Sequence, residues 1–131
     1  MVNEKVNVLV IDDDIFVRQV LNDVLDMENY PVSTAESMDE GLGVLREKGD
    51  FRIVFTDYMI DGQSGVDIAR EIKQYDPGTV VVLATGWDIT LTDELREQGV
   101  DMVLRKPFNV TAIMDIMSQA EEILERGGEG G

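Results

Sequence analysis

The chain has 131 residues, 44% of them hydrophobic, and 27 Asp and Glu against 11 Lys and Arg give it a formal net charge of −16; this predicts one globular domain. Without cysteine or histidine, it can have no disulfide, thiolate metal site, cysteine nucleophile or histidine base. The negative charge repels nucleic-acid phosphates, and no long apolar stretch precedes Asp12, so we expect a cytoplasmic protein that binds neither nucleic acid nor membrane.

The first half of the chain alternates two strand patterns with two helix patterns. Residues 6–11 are almost continuously apolar, which is typical of a strand covered on both faces in a parallel sheet, whereas 31–34 are mixed, like an edge strand. Between them, apolar residues recur at spacings of three and four and predict one buried helix face made of Phe16, Val17, Val20, Leu21, Val24 and Leu25. The next helix begins after Ser37, which forms a capping box with Glu40.

The second half continues this alternation of strands and helices. Further apolar, β-branched runs predict strands at 52–56, 80–85 and 102–104. Helices are predicted at 66–75, at about 92–98 and at about 110–126. The fold is therefore predicted as α/β, with five strand–helix units forming a parallel sheet covered by helices on both faces. We expect the domain to occupy residues 1–126, with 127–131 as a flexible Gly-rich tail that is either a linker or a natural end.

Polar residues follow four of the predicted strands, in chain order Asp12, Asp13 and Asp14, then Asp57, then Thr85 and Gly86, then Arg105, Lys106 and Pro107. The carboxyl ends of parallel strands meet at one edge, so these residues should lie together. Taken singly they have ordinary explanations, such as a helix cap, a turn hydroxyl or a surface lysine. Carboxylates gathered at one edge repel one another unless a cation lies among them, which predicts a hard divalent ion such as Mg²⁺.

Asp57 is the best-placed nucleophile in this set of residues. A carboxylate can attack a phosphoryl group and form an acyl phosphate. The ammonium of Lys106 and the hydroxyl of Thr85 could neutralise charge on the phosphoryl oxygens, together with Mg²⁺. Gly86 would leave room for the phosphate. The residues alone therefore predict a phosphoacceptor site.

At these positions the sequence resembles the receiver domain of two-component response regulators. The resemblance covers nearly the whole chain and rests on Asp12-Asp13, Asp57, Thr85 and Lys106-Pro107-Phe108. It implies a flavodoxin-like (βα)₅ doubly wound fold with strand order 2-1-3-4-5. It also implies a Mg²⁺ ion held by Asp13, Asp57 and the backbone carbonyl of Met59, with Asp12 acting through water.

The resemblance also implies partners and a mode of signalling. The phosphoryl donor would be a phosphohistidine on a sensor histidine kinase or phosphotransfer protein, and the target a downstream effector protein or domain. Phosphate would draw Thr85 inward and alter the face formed by the fourth helix, fifth strand and fifth helix. Such a domain catalyses only its own phosphorylation and dephosphorylation. The acidic surface suits either plain solvation or a basic partner.

Three positions depart from the family pattern, and a fourth bears on signalling. Val103 stands where the family often has Tyr or Phe, which puts the usual aromatic switch in question. Asp61 stands where proline is common, so we expect a more mobile loop. Residues 99–103 contain Asp101 but lack the second acidic residue and the tyrosine typical of the receivers of winged-helix regulators, so their dimer mode is not supported. Trp87 either flanks the phosphorylation site or packs within its loop. Val103 and Trp87 are thus the predicted signalling positions.

Two other functions fit part of the sequence. The Asp-x-Asp motif of haloacid-dehalogenase-like phosphatases would make Asp12 the nucleophile, but Phe16 is atypical of that motif and Asp57 would be idle. A calcium loop is disfavoured because Phe16 occupies a position that needs an oxygen ligand. A receiver-like interaction module that takes no phosphate is the remaining alternative.

Overall fold

A single parallel sheet of five strands forms the centre of the protein in the computed structural model, which describes residues 5–60 and 62–129. In chain order its strands are β1 (Asn7–Ile11), β2 (Val32–Ala35), β3 (Phe51–Asp57), β4 (Val80–Thr85) and β5 (Met102–Arg105). Their order across the sheet is β2-β1-β3-β4-β5, and every pairing is parallel. The predicted (βα)₅ fold with order 2-1-3-4-5 is confirmed.

Five helices connect or follow these strands: α1 (Ile15–Met27), α2 (Met38–Lys48), α3 (Gly65–Tyr75), α4 (Asp93–Glu97) and α5 (Val110–Glu129). A side-chain cap begins each of the five, because the first N–H groups of a helix lack partners within it. Ser37 caps α2 as the capping box predicts, with its hydroxyl accepting the Glu40 N–H at 3.1 Å. Asp14 caps α1 by accepting the Phe16 N–H at 2.9 Å. A two-residue hairpin pairs Met59–Ile60 with Gln63–Ser64 between β3 and α3.

The sheet separates two apolar layers. Alternate residues of β1 point to opposite faces, with Val8 and Val10 in one cluster and Leu9 and Ile11 in the other. The first cluster contains buried side chains of α1 and α5, and the second contains those of α2 and α3. Helices on both faces leave the ends of the strands as the places where loops converge.

The buried face of helix α1 is narrower than the sequence pattern predicts. Leu21 and Leu25 are fully buried, but Phe16 and Val20 are 73% and 42% exposed. The six apolar residues of the predicted stripe span about half the circumference at roughly 100° per residue, and the sheet and α5 cover only part of that arc. Periodicity therefore predicts the helix but overestimates how much of it is buried.

Helix α5 also differs from its prediction. It is predicted to end near Arg126, and it runs to Glu129. Residues 130 and 131 of the predicted flexible tail lie outside the described ranges. Each Gly costs a helix interior about 1 kcal/mol relative to Ala, which weakens a helix end without forbidding it.

The sequence also makes predictions about the loop at Asp61 and about membrane spanning. The predicted mobility around Asp61 concerns a residue that lies outside the described ranges. Of the helices within 5–60 and 62–129, none is both long and apolar enough to cross a membrane.

Candidate functional site

The predicted edge of the sheet brings together one residue from the end of each of four strands. Asp12 follows β1, Asp57 ends β3, Thr85 ends β4 and Lys106 follows β5. A backbone hydrogen bond from the Lys106 N–H to the Thr85 carbonyl, at 2.7 Å, ties the last two strand ends together. The Lys106-Pro107 peptide bond is cis. These four residues therefore form one site at the carboxyl edge of the sheet.

A cluster of three carboxylates forms the acidic side of this site. Oxygen atoms of Asp12, Asp13 and Asp57 all lie within 4.8 Å of one another. Asp12 is buried at 2% exposure, Asp57 is partly buried and Asp13 is exposed. Carboxylate oxygens at this separation are the ligand set that hard divalent cations favour.

Lys106 joins two of these carboxylates across the sheet edge. Its Nζ lies 2.8 Å from Asp12 Oδ2 and 3.4 Å from Asp57 Oδ1. Although Asp12 Oδ2 is buried and in ionic contact with Lys106, it accepts no well-oriented hydrogen bond from the described residues. Three carboxylates therefore face one ammonium, and this excess of negative charge fits a metal cation.

Burial and charge shift two ionisation equilibria in the site. Burial and then the charge of Asp12 raise the pKa of Asp57 above its usual value, and the Lys106 ammonium offsets this only in part. Burial lowers the pKa of Lys106, but its contacts with Asp12 and then Asp57 outweigh burial, so its net pKa is raised. Lys106 therefore stays a cation while Asp57 bears a charge that is incompletely neutralised.

Backbone contacts fix Asp57 and Thr85. Asp57 Oδ1 accepts the Tyr58 N–H at 2.8 Å. The Tyr58 carbonyl accepts the Gly65 N–H at 2.7 Å, which holds the start of α3 against the end of β3. The Thr85 side chain is buried at 1% exposure, and its Oγ1 accepts the Trp87 N–H at 3.0 Å. The nucleophile candidate and the hydroxyl are thus presented by rigid elements.

Among the described residues, Met59 and Gly86 make no contact that defines their predicted roles. Met59 lies in the small hairpin after Asp57 and is 42% exposed, and its carbonyl remains a predicted metal ligand. A Cβ added to Gly86 would meet no heavy atom within 4 Å, so the space beside it is open. The role of Gly86 in admitting phosphate stays a prediction.

The two predicted signalling residues lie on different sides of β4. Trp87 is 65% exposed and packs edge-on against Tyr58, with ring centroids 5.4 Å apart. Val103 is partly buried and lines a cavity of about 500 Å³ between the 89–91 segment and α5. Trp87 thus contacts the site through Tyr58, while Val103 lies on the β5 side. Their part in signalling stays a prediction.

Arg18 is a site-proximal residue that the sequence pattern does not reveal. It lies on α1, and its Nη1 donates to the backbone carbonyl of Asp12 at 2.7 Å. No short motif marks this contact, because it joins a helix side chain to the main chain at the end of a strand. The only available signal was an arginine between the apolar positions Val17 and Val20.

Comparison with known proteins agrees with this geometry. Residues 8–118 match the family model of the response regulator receiver domain. The chain is 35% identical over 124 residues to the transcriptional regulatory protein GlrR of Escherichia coli K12, covering 93% of this chain and 28% of GlrR. It is 29% identical to sporulation initiation phosphotransferase F of Bacillus subtilis, covering 91% of this chain and 94% of that protein.

Solved structures give the same assignment. A response regulator receiver domain protein from Clostridium thermocellum superposes with a TM-score of 0.81 at 28% identity, covering 96% of this chain and 99% of that one. The receiver domain of NtrX from Brucella abortus gives a TM-score of 0.78 at 26% identity, with 90% and 98% covered. The four-strand site and these likenesses agree, and the chain belongs to the response regulator receiver domain family.

Proposed function

We propose that this receiver domain accepts a phosphoryl group on Asp57 in a Mg²⁺-dependent reaction. The observation that carries the proposal is the acidic cluster with oxygens within 4.8 Å of one another, bridged on one side by Lys106. Asp57 has a raised pKa from burial and from Asp12, so its charged oxygen is poorly stabilised in the free protein. Such an oxygen at the edge of the sheet suits attack on phosphorus.

The reaction transfers one phosphoryl group from a nitrogen or oxygen atom of the donor to a carboxylate oxygen of Asp57. A carboxylate oxygen of Asp57 forms a bond to phosphorus as the donor's P–N bond, in a phosphohistidine, or P–O bond, in acetyl phosphate, breaks. The leaving imidazole nitrogen or acetate oxygen takes the bonding electron pair. Lys106 and the Thr85 hydroxyl lie on neighbouring strand ends, where they can balance charge on the transferred group.

The carboxylates of Asp12, Asp13 and Asp57, with the backbone carbonyl of Met59, are the proposed holders of the metal. When bound, Mg²⁺ supplies positive charge that offsets the phosphoryl oxygens and the mutual repulsion of the carboxylates. The excess of three clustered carboxylates over the single ammonium of Lys106 supports this assignment. Gly86 leaves the approach to Asp57 open.

The proposed donor is a sensor histidine kinase or phosphotransfer protein, and the proposed target is an effector protein or domain. The chain covers 28% of GlrR, a transcriptional regulatory protein by name, but 94% of the sporulation phosphotransferase. Both a longer regulator and a stand-alone relay therefore have precedents. We propose further that the domain acts in the cytoplasm, modifies only itself and, at a net charge of −16, does not itself bind nucleic acid.

Acetyl phosphate with MgCl₂ is expected to add one phosphoryl group per chain. Intact-mass spectrometry measures the addition, and tandem mass spectrometry of the peptides locates it at Asp57. Replacing MgCl₂ with excess chelator should prevent the addition, because the phosphoryl and carboxylate charges then repel one another without compensation.

The position and metal dependence of the label separate the candidate functions. Label at Asp12 would support the phosphatase alternative and contradict the proposal. No label with any small phosphodonor, in folded protein that binds Mg²⁺, would support an interaction module that takes no phosphate.

MgCl₂ alone is expected to raise the midpoint of thermal unfolding. A ligand that binds only the folded state stabilises it by about 2.7 kcal/mol at roughly a hundredfold excess over its dissociation constant. Asp13→Asn should largely remove this shift because it removes one carboxylate of the cluster. Circular dichroism melts with and without MgCl₂ measure the effect.

Asp14→Asn is the matched control for this experiment. It makes the same charge change at the next residue, and asparagine caps a helix about as well as aspartate. The control should keep the Mg²⁺ shift of the wild type. An equal loss in both variants would mean that general acidity, rather than the cluster, binds the ion.

A further inference from the structure

Arg18 makes a contact that the phosphoryl-transfer scheme does not use. Its Nη1 donates to the Asp12 carbonyl at 2.7 Å, and its Nη2 lies 3.8 Å from a carboxylate oxygen of Glu36. The Arg18 side chain is 16% exposed, whereas that of Glu36 is 69% exposed. A short hydrogen bond from a cation is strong, and a long ion pair with an exposed partner is weak. The carbonyl is therefore the main partner of Arg18.

This carbonyl belongs to the peptide that joins Asp12 to Asp13. A peptide unit is planar, so a hydrogen bond that holds its oxygen also holds its N–H group. That N–H group belongs to Asp13. Three other contacts already hold Asp12, through its N–H, its Oδ1 and its Oδ2, to Ala35, Asp14 and Lys106. Asp13 is exposed and lies inside the turn that the Asp14 N–H closes on Asp12 Oδ1. Of the four contacts of Asp12 described here, the hydrogen bond from Arg18 is the one made to the Asp12–Asp13 peptide itself.

We infer that Arg18 is a positioning residue for the metal site, which holds the Asp12–Asp13 peptide so that the Asp13 carboxylate meets those of Asp12 and Asp57. The inference deepens the proposed function and rests on its metal site. Arg18 touches neither metal nor phosphate in this scheme. Its effect reaches the cluster through the main chain, as outer partners of metal ligands do.

The charge of Arg18 and its positioning role predict opposite effects of its loss on the affinity for Mg²⁺. The guanidinium is a positive charge near a cation site, so charge alone would make Mg²⁺ bind more tightly once Arg18 is lost. Positioning makes Mg²⁺ bind more weakly. Arg18→Lys keeps the charge and loses the planar fork, and Arg18→Met loses the charge and keeps an unbranched stem. Weaker binding in both variants is the signature of positioning.

The test is isothermal titration of MgCl₂ into the full chain for the wild type, Arg18→Lys, Arg18→Met and Glu36→Gln. Both Arg18 variants are expected to bind Mg²⁺ about tenfold more weakly, the lower end of the effect of losing an outer partner. Glu36→Gln should stay within about twofold of wild type, because its ion pair is long and exposed. Thermal melts without Mg²⁺ measure how much fold stability each change costs. If Arg18→Met does not fold, the comparison of Mg²⁺ affinity between Arg18→Lys and Glu36→Gln decides the test.

Phosphorylation by acetyl phosphate supplies a second measurement. The Arg18 variants should be slow at low MgCl₂ and should recover near-wild-type rates at saturating MgCl₂, which a general loss of structure would not allow. Wild-type affinity in both variants, tighter binding by Arg18→Met, or slow phosphorylation that persists at saturating MgCl₂ would overturn the inference. A wild type that binds Mg²⁺ but takes no phosphate overturns only the phosphoacceptor function, and one that binds no Mg²⁺ overturns both.

Discussion

Asp57→Asn is expected to abolish phosphoryl uptake completely while the fold is retained. Asparagine has nearly the same shape as aspartate, but its neutral amide is not a nucleophile toward phosphorus. Incubation with acetyl phosphate and MgCl₂, followed by intact-mass spectrometry, measures the loss. Asp23→Asn is the control, since Asp23 is exposed on α1 and should leave uptake unchanged. Uptake by the Asp57→Asn variant would place the acceptor elsewhere.

The same variant should also be more stable than the wild type at neutral pH without divalent ions. Burial and Asp12 raise the pKa of Asp57, so over the interval from its unfolded to its folded pKa the folded state binds more protons. Stability conferred by the protonated form is therefore lost as pH rises through the folded pKa. Asparagine carries no charge and avoids this cost. Urea unfolding should show the advantage at pH 7 and a smaller one as pH falls toward about 4.

Gly65→Ala is expected to be the most damaging single methyl addition to the stability of this site. A Cβ at Gly65 would lie 2.2 Å from the Asp57 carbonyl oxygen and 2.9 Å from Leu83 Cδ1. The leucine can adjust, but the carbonyl is main chain at the end of β3. Forcing extra atoms into such a contact costs about 1–3 kcal/mol, and more when backbone must move. Urea unfolding measures the loss, and slower phosphorylation should accompany it because Asp57 itself is displaced.

Gly43→Ala is the matched control for this substitution. Gly43 lies within α2, where an added Cβ would meet no heavy atom within 4 Å. Alanine in a helix interior is more favourable than glycine by roughly 0.5–1 kcal/mol, so this variant should be slightly more stable. Similar losses in the two variants would show that the close approach to the Asp57 carbonyl is not the cause.

The sheet and the four strand-end residues could be predicted because both depend on local signals. Continuous apolar runs identify buried parallel strands, and topology then places whatever follows them at one edge. Asp57 and Lys106 therefore met as expected, at 3.4 Å. The order of the strands across the sheet, by contrast, was implied by the resemblance to receiver domains rather than by local signals.

What escaped prediction depends on contacts between elements. The exposure of Phe16 depends on how far neighbouring elements extend over α1, which a periodic pattern does not contain. The bond from Arg18 to the Asp12 carbonyl depends on the angle at which α1 packs on β1. The close approach of Gly65 to Asp57 likewise follows from packing between elements. It does not depend on a positive φ, the backbone conformation that favours glycine.

The strand order has a consequence for how the site comes into being. Its carboxylates, hydroxyl and ammonium come from β1, β3, β4 and β5, which are adjacent in the sheet but far apart along the chain. Local helices can form early in folding, but such long-range pairings pay their loop-closure entropy first and form slowly. A fragment that lacks either β1 or the end of β5 contains an incomplete site. The ability to bind metal and phosphate is thus a property of the finished sheet, and it reports whether the whole domain has folded.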